Sequence, residues 1–369
     1  MRKVLKKGVP AFIIVSALTI SACSVGSDET MNEMDTPPVN YVEEGDSLGL
    51  EDDEQSEGLT EDGEGNEDAS GKEQPGAEAT EMTTRELYLL DENGLVVPQA
   101  LQLPKQEGVL KQSLEYLVED GPVTNLLPNG FRAVLPPGTE VDVNLTEDGV
   151  AIADFSNEFK EYKAEDELKV LQAITWTLTQ FDNVEKVQIR INGYEQDKMP
   201  VNGTPIGDGM SRANGINIET DNVVDVVSSK EVTLYFLAQS GENTYYVPVT
   251  RRVNATSDEL TAAVEELLKG PSHYSNLVTD FRQGVALLEE PQNEDGVVTL
   301  NFNEALLSQL QSTAVSEKAL NMLALTLTEQ EGIEKVAIQV NGESNALNES
   351  GQLLAEPVTR PTQVNTGKF

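Results

Sequence analysis

Residues 85–104 read RELYLLDENGLVVPQALQLP, and residues 232–253 read VTLYFLAQSGENTYYVPVTRRV. Each stretch holds two runs rich in strand-favouring residues, separated by a Gly- and Asn-containing gap. The spacing predicts strands over Glu86–Leu90 and Leu95–Leu103, then over Val232–Ala238 and Thr244–Val253. The match of Leu87-Tyr88-Leu89-Leu90 to Leu234-Tyr235-Phe236-Leu237 is the first of a collinear series. Gly121-Pro122 answers Gly270-Pro271, and Glu147-Asp148-Gly149 answers Glu294-Asp295-Gly296. Thr177-Leu178-Thr179 answers Thr326-Leu327-Thr328. Glu185-Lys186-Val187 answers Glu334-Lys335-Val336, and Asn192-Gly193 answers Asn341-Gly342. The order never changes, which is the mark of an internal duplication.

The two copies share a physical pattern as well. Leu110, Leu114, Leu117 and Val118 stand at helical spacing, as do Leu260, Val264, Leu267 and Leu268, so each set makes one apolar helix face. Thr256 and Glu259 form a capping-box pair, and Gly-Pro is expected to end both helices, with Gly in the left-handed C′ position. A hairpin follows in each copy: Val141–Leu145 with Val150–Phe155, and the Leu287 region with Val297–Phe302, turning at Asp-Gly. Second helices are expected near Asp166–Gln180 and Ser316–Glu329, then strands over Val184–Ile191 and Ile333–Val340. Each copy thus reads ββαββαβ, an α+β unit with helices on one sheet face and about 130 residues, enough for a core. The expected boundaries are 82–213 and 231–369, with a connector at 214–230 in which Val223–Val227 could add a strand.

The chain begins MRKVLKKGVPAFIIVSALTISAC. Four basic residues precede an apolar stretch too short to span a bilayer, which needs about 20 residues. The pattern is that of an export signal over 1–22. Ile20-Ser21-Ala22-Cys23 matches a lipobox, so Cys23 is the expected lipidation site and first mature residue. It is the single cysteine, so no internal disulfide can form. Residues 23–81 then read as a tether: from Asp28 to Glu81 there are twenty acidic residues and one lysine. Such a segment buries too little apolar surface to offset its entropy, and its charges extend it. The formal net charge of −39 argues against a nucleic-acid partner, which needs a basic surface.

The inventory for catalysis is poor, and neither a catalytic residue, a cofactor site nor a metal site is expected. The one histidine, His273, reads as a loop residue without a counterpart in the first copy. Glu147-Asp148 and Glu294-Asp295 are duplicated carboxylate pairs, but Asp-Gly in a turn explains them. The glycines near 202–209 lack the Lys and helix of a phosphate-binding loop. Trp176 fits a helix and packs in the core or at a domain interface. Arg212 and Arg360 close their copies 148 residues apart. They could bind a partner carboxylate or pin down the last segment by ion pairing, and the second reading is the better supported.

The LYLL and LYFL strands, the Gly-Pro steps and the duplicated EKV…NG pattern, behind a lipobox and acidic stalk, resemble the family of sporulation and germination lipoproteins built from tandem GerMN domains. The resemblance covers the whole chain. It implies a role in endospore formation or germination, on the mother-cell membrane facing the intermembrane space. It further implies ring-building-motif-like domains that scaffold a mother cell–forespore complex, with envelope proteins of the sporulation channel as partners. A small-ligand or glycan-binding lipoprotein is the alternative. The sheet edges at Leu87–Leu90 and Leu234–Leu237 are candidate docking surfaces. Whether the duplicated domain mimics two neighbouring ring subunits or doubles one binding surface stays open from sequence.

Overall fold

Two runs of strand-favouring, mostly apolar residues in 82–104 make an antiparallel ladder. In the computed structural model, β1 (Met82–Leu90) pairs with β2 (Val96–Pro104), Met82 opposite Pro104 and Leu90 opposite Val96. The turn closes because the Asp91 carboxylate accepts the backbone N–H groups of Asn93 and Leu95. The second copy opens with a longer hairpin, β7 (Ser229–Ser240) and β8 (Asn243–Asn254). The structure describes residues 81–219, 228–241, 243–255, 258–307 and 314–367, all within one compact unit. The expected signal, Cys23, the tether up to residue 80, Val223–Val227 and Thr256 lie outside the described residues.

The first repeat continues with α1 (Val109–Glu115), β3 (Val141–Leu145), β4 (Val150–Phe155), α2 (Glu167–Leu178), β5 (Lys186–Ile191) and β6 (Tyr194–Glu195). The second continues with α3 (Glu259–Lys269), β9 (Gln292–Glu294), β10 (Val297–Phe302), β11 (Ala314–Val315), α4 (Glu317–Leu327), β12 (Lys335–Val340), β13 (Leu347–Asn348) and β14 (Val358–Thr359). The fold is α+β, and the ββαββαβ order appears twice with short additions. The strands of one copy do not form one ladder, however. The hairpins β1–β2 and β7–β8 stand apart from sheets ordered β3-β4-β5-β6 and β14-β12-β10-β9. In each sheet the central pair is parallel, β4 with β5 and β10 with β12, because a helix carries the chain across between them.

Three local expectations need correction. Helix α1 stops at Glu115, well before Gly121. The Leu117 carbonyl accepts the amides of Val134 and Leu135, and Glu119 donates to Leu135, so this backbone is committed to a neighbouring strand-like segment. Gly121 has φ −88° and opens a short 3-10 turn; Asp120, at φ 58°, takes the left-handed position. Only Gly270 ends its helix as expected, at φ 83°. The cap of α3 is Asp258, whose carboxylate accepts the Thr261 amide. The second hairpin also starts later than the Leu287 region. Leu287 makes one isolated bridge to Phe302, while β9 pairs with β10 across Asp295-Gly296, both at positive φ.

One continuous apolar cluster runs from Leu87 through Trp176 to Val340, drawing on both copies. Helix α2 lies against β1 and β5, and α4 against β7 and β12. The sequence-proposed docking edges are interior. Leu87–Leu90 are wholly buried and Leu234–Leu237 nearly so. The outer amides of Tyr88 and Tyr235 donate to Thr177 and Thr326 hydroxyls at 3.0 Å each. A partner strand cannot add there, because each edge is already satisfied by its own second helix.

Candidate functional site at the junction of the repeats

The second strands β2 and β8 face one another, and each repeat sends its own tail across to the other. After β6, Gly215-Ile216-Asn217, expected as part of the connector, serve as the tail of the first repeat and seat against β8. The Thr250 amide donates to the Ile216 carbonyl at 2.9 Å, and Ile216 donates back to the Thr250 hydroxyl. After β14 the second repeat ends in Val364-Asn365, which seats against β2; the Ala100 amide donates to the Val364 carbonyl at 3.1 Å. Gly215 is required at its place. A Cβ there would lie 2.9 Å from the Thr250 methyl, and φ is 73°.

Two asparagines close the junction. The Asn217 amide group donates to the carbonyls of Val96 and Pro248 and accepts the Val96 N–H. The Asn365 amide group donates to the carbonyls of Pro98 and Tyr246 and accepts the Tyr246 N–H. Asn217 thus bridges β2 and β8 from one side, and Asn365 from the other. Both hold positive φ, 45° and 57°, which Asn tolerates better than other residues with a side chain. Sequence reading missed them. The available signal was the repeated spacing Arg212-x4-Asn217 and Arg360-x4-Asn365.

Beside these asparagines lies a buried ion triad. Arg212 and Arg360 both pair with Glu329, which sits just past the end of α4 with only 7% of its side chain exposed; the Arg360 contact is 3.1 Å. Burial pushes the Glu329 carboxyl up, but the two guanidinium charges outweigh it, and the net effect is a lowered pKa. Tyr235 donates its hydroxyl to Glu329 and accepts from Arg360. Burial pushes both the Tyr88 and the Tyr235 hydroxyls above their ordinary range. Arg212 stacks over Trp176 at 4.4 Å from the ring centre, and Trp176 in turn packs against Tyr88 at 5.6 Å. Trp176 is therefore core and junction at once. Position 180, the counterpart of 329, is Gln, and its side chain serves the Glu86 backbone instead. The triad is thus asymmetric, whereas the asparagine bridges and tail pairings are matched.

An open cavity of about 1020 Å³ lies over this centre, lined by Thr179, Gln180 and Arg212 from one repeat and Thr328, Glu329 and Arg360 from the other. The remaining sequence candidates stay apart from it. His273 is an exposed residue of the loop after α3, and Glu147, Asp148 and Asp295, in turns, and Glu294, at the end of β9, are exposed on two different sheets. Among the described residues no group of His, Cys, Asp and Glu is placed to hold a metal ion, and no helix is long and apolar enough to cross a membrane.

The fold and junction define a class: tandem-repeat α+β proteins whose two copies close on each other through exchanged tails. A model of the family described as Germane, sporulation and spore germination, matches residues 86–197 and 233–346, and the chain belongs to that family. It is 48% identical over 372 residues to the spore germination protein GerM of Bacillus subtilis (strain 168), covering 99% of this chain and 100% of the relative. The solved tandem GerMN domains of the B. subtilis sporulation protein GerM match with a TM-score of 0.74 and 53% identity, over 78% of this chain and 100% of that one. The first GerMN domain of the same protein, solved by itself, is 63% identical over 35% of this chain and 98% of its own, with a TM-score of 0.35.

Proposed function

We propose that this chain is a lipid-anchored, non-enzymatic scaffold of spore formation and germination, held on the outer face of the mother-cell membrane and organising envelope proteins between mother cell and forespore. The observation that carries the reading is the end-to-end similarity to a spore germination protein. The junction chemistry supports the non-enzymatic part. Its buried charged groups are spent on one another: Glu329 is held ionised between two arginines, so it is a poor proton donor or acceptor near neutral pH. The test is the heat-resistant spore yield of a deletion strain against its complemented parent. A large, complemented loss supports the reading, and an undiminished yield removes it.

Anchorage rests on Cys23 within the lipobox pattern. Acyl chains contribute roughly 0.8 kcal/mol per buried methylene, so two or three chains hold the protein firmly. Cys23→Ala is expected to move the protein from the membrane pellet to the soluble fraction. A variant that still pellets contradicts the anchor.

The cavity of about 1020 Å³ favours a second reading, a small-ligand or glycan-binding lipoprotein. A ligand bound there stabilises the folded chain by mass action. Thermal denaturation with muropeptides or amino acids separates the two: a concentration-dependent rise in Tm selects binding.

A further inference from the structure

The junction contacts obey an exchange rule. Asn217 of the first repeat reaches Pro248 of the second, and Asn365 of the second reaches Pro98 of the first. Thr250 donates to the Ile216 carbonyl, and Ala100 to the Val364 carbonyl. In the duplication Asn217 answers Asn365, Ile216 answers Val364, Pro98 answers Pro248, and Ala100 answers Thr250, each pair 148 or 150 residues apart. These asparagine and tail contacts from one repeat to the other are each returned with the partners swapped. That is the signature of an isologous, two-fold contact, which closes on itself, unlike the head-to-tail contact that builds rings.

We infer that each repeat carries a self-complementary docking face, made of its second strand and its own tail, whose partner is another repeat of the same kind; within this chain the sibling repeat occupies it. The recognition chemistry explains why one repeat's face would accept a second copy of itself. The asparagine bridges run from Asn side chains to backbone atoms, and the tail pairings are backbone to backbone. Side-chain differences between β2 and β8 therefore leave most of the contacts unchanged. Copying the first repeat onto the second keeps Pro98 where Asn217 needs a carbonyl and Ala100 where Ile216 needs an amide. It loses the Thr250 hydroxyl bond to Ile216, and it replaces Glu329 opposite Arg212 with Gln180. A first-repeat pair thus lacks the Arg212–Glu329 ion pair, whereas a second-repeat pair sets Arg360 in the place of Arg212 opposite Glu329 and keeps it. A consequence follows for any larger assembly. The two repeats are not consecutive subunits of a ring joined through this face, so the closed pair is the unit that enters the assembly.

The experiment starts from the folded full chain, with a protease site placed in the connector between residues 219 and 228. After cleavage, native mass spectrometry on diluted samples reports how the halves pair over days. The expected result is halves that stay associated one to one, followed by slow appearance of first-half and second-half homodimers as a minor fraction. Asn217→Ala should abolish the first-half homodimer, and Asn365→Ala the second-half one. Folded monomeric halves overturn the inference. So does exclusive pairing of unlike halves at every dilution, and so does loss of circular dichroism on cleavage, since a pairing that needs the covalent link is not a docking face.

Discussion

Asn217 and Asn365 each bring β2, β8 and a crossing tail within one side chain's reach. Asn217 supplies both donors and one acceptor to buried backbone groups. Leaving such a group unsatisfied costs about 1–3 kcal/mol. Asn217→Ala is expected to destabilise the chain by about 3 kcal/mol in urea denaturation, and Asn217→Gly by about 1 kcal/mol less, because Gly accepts the positive φ freely. Equal losses for the two variants would show that backbone conformation contributes nothing there. Glu329 argues differently, through pH. Its folded-state pKa lies below the unfolded value of about 4.3, so its stabilisation is fully present above that value and is lost as pH falls through the folded one. Glu329→Gln leaves two arginines without their counter-charge and should cost about 3 kcal/mol at pH 7. The gap to the unaltered chain should narrow below about pH 4. A gap that widened on acidification would contradict the ionised triad.

At the scale of elements, α3 offers a clean measurement. Asp258 caps it by accepting from both the amide and the hydroxyl of Thr261, and Asp258→Ala should cost about 1 kcal/mol, read from the shift in denaturation midpoint. A midpoint that does not move would assign the helix start to tertiary packing. How legible the elements were follows from where their information is stored. Hairpins and second helices were readable because alternation, Asp-Gly turns and 3.6-residue periodicity are local. Helix α1 was overread because Leu117 and Val118 keep helical spacing while their backbone is drawn into contact with Val134 and Leu135, a tertiary pull that no periodicity records. The edges at Leu87–Leu90 and Leu234–Leu237 were misread for the same reason: Thr177 and Thr326, which cap them, are some ninety residues away in sequence. Of the junction, Arg212 and Arg360 were visible as repeated charges with an ion-pairing role. Their common partner Glu329 was not, because its counterpart Gln180 breaks the repeat.

At the scale of the whole molecule, the duplication was plain in the sequence, whereas the reciprocal exchange of tails was not, since symmetry between copies is a relation in space. That relation has a thermodynamic consequence. The apolar core is continuous across both repeats, and the tails, asparagines and ion triad tie the same faces together. Neither copy can unfold without stripping β2 or β8 of its partner, so the two should unfold as one cooperative unit, as single domains do. The lone tryptophan, Trp176, reports on the first repeat and its side of the junction, while circular dichroism reports on both repeats. Leu323→Ala truncates a wholly buried side chain of α4 in the second repeat and should cost about 2–5 kcal/mol. The expected outcome is that the Trp176 fluorescence midpoint falls together with the circular-dichroism midpoint, although the lesion is in the other copy. A Trp176 transition that stayed in place while circular dichroism became biphasic would mean two beads on a string. Coincident movement means that a lesion anywhere in the pair is felt by both copies. A chain built this way presents its outward surfaces at a fixed mutual geometry rather than through two domains that move independently.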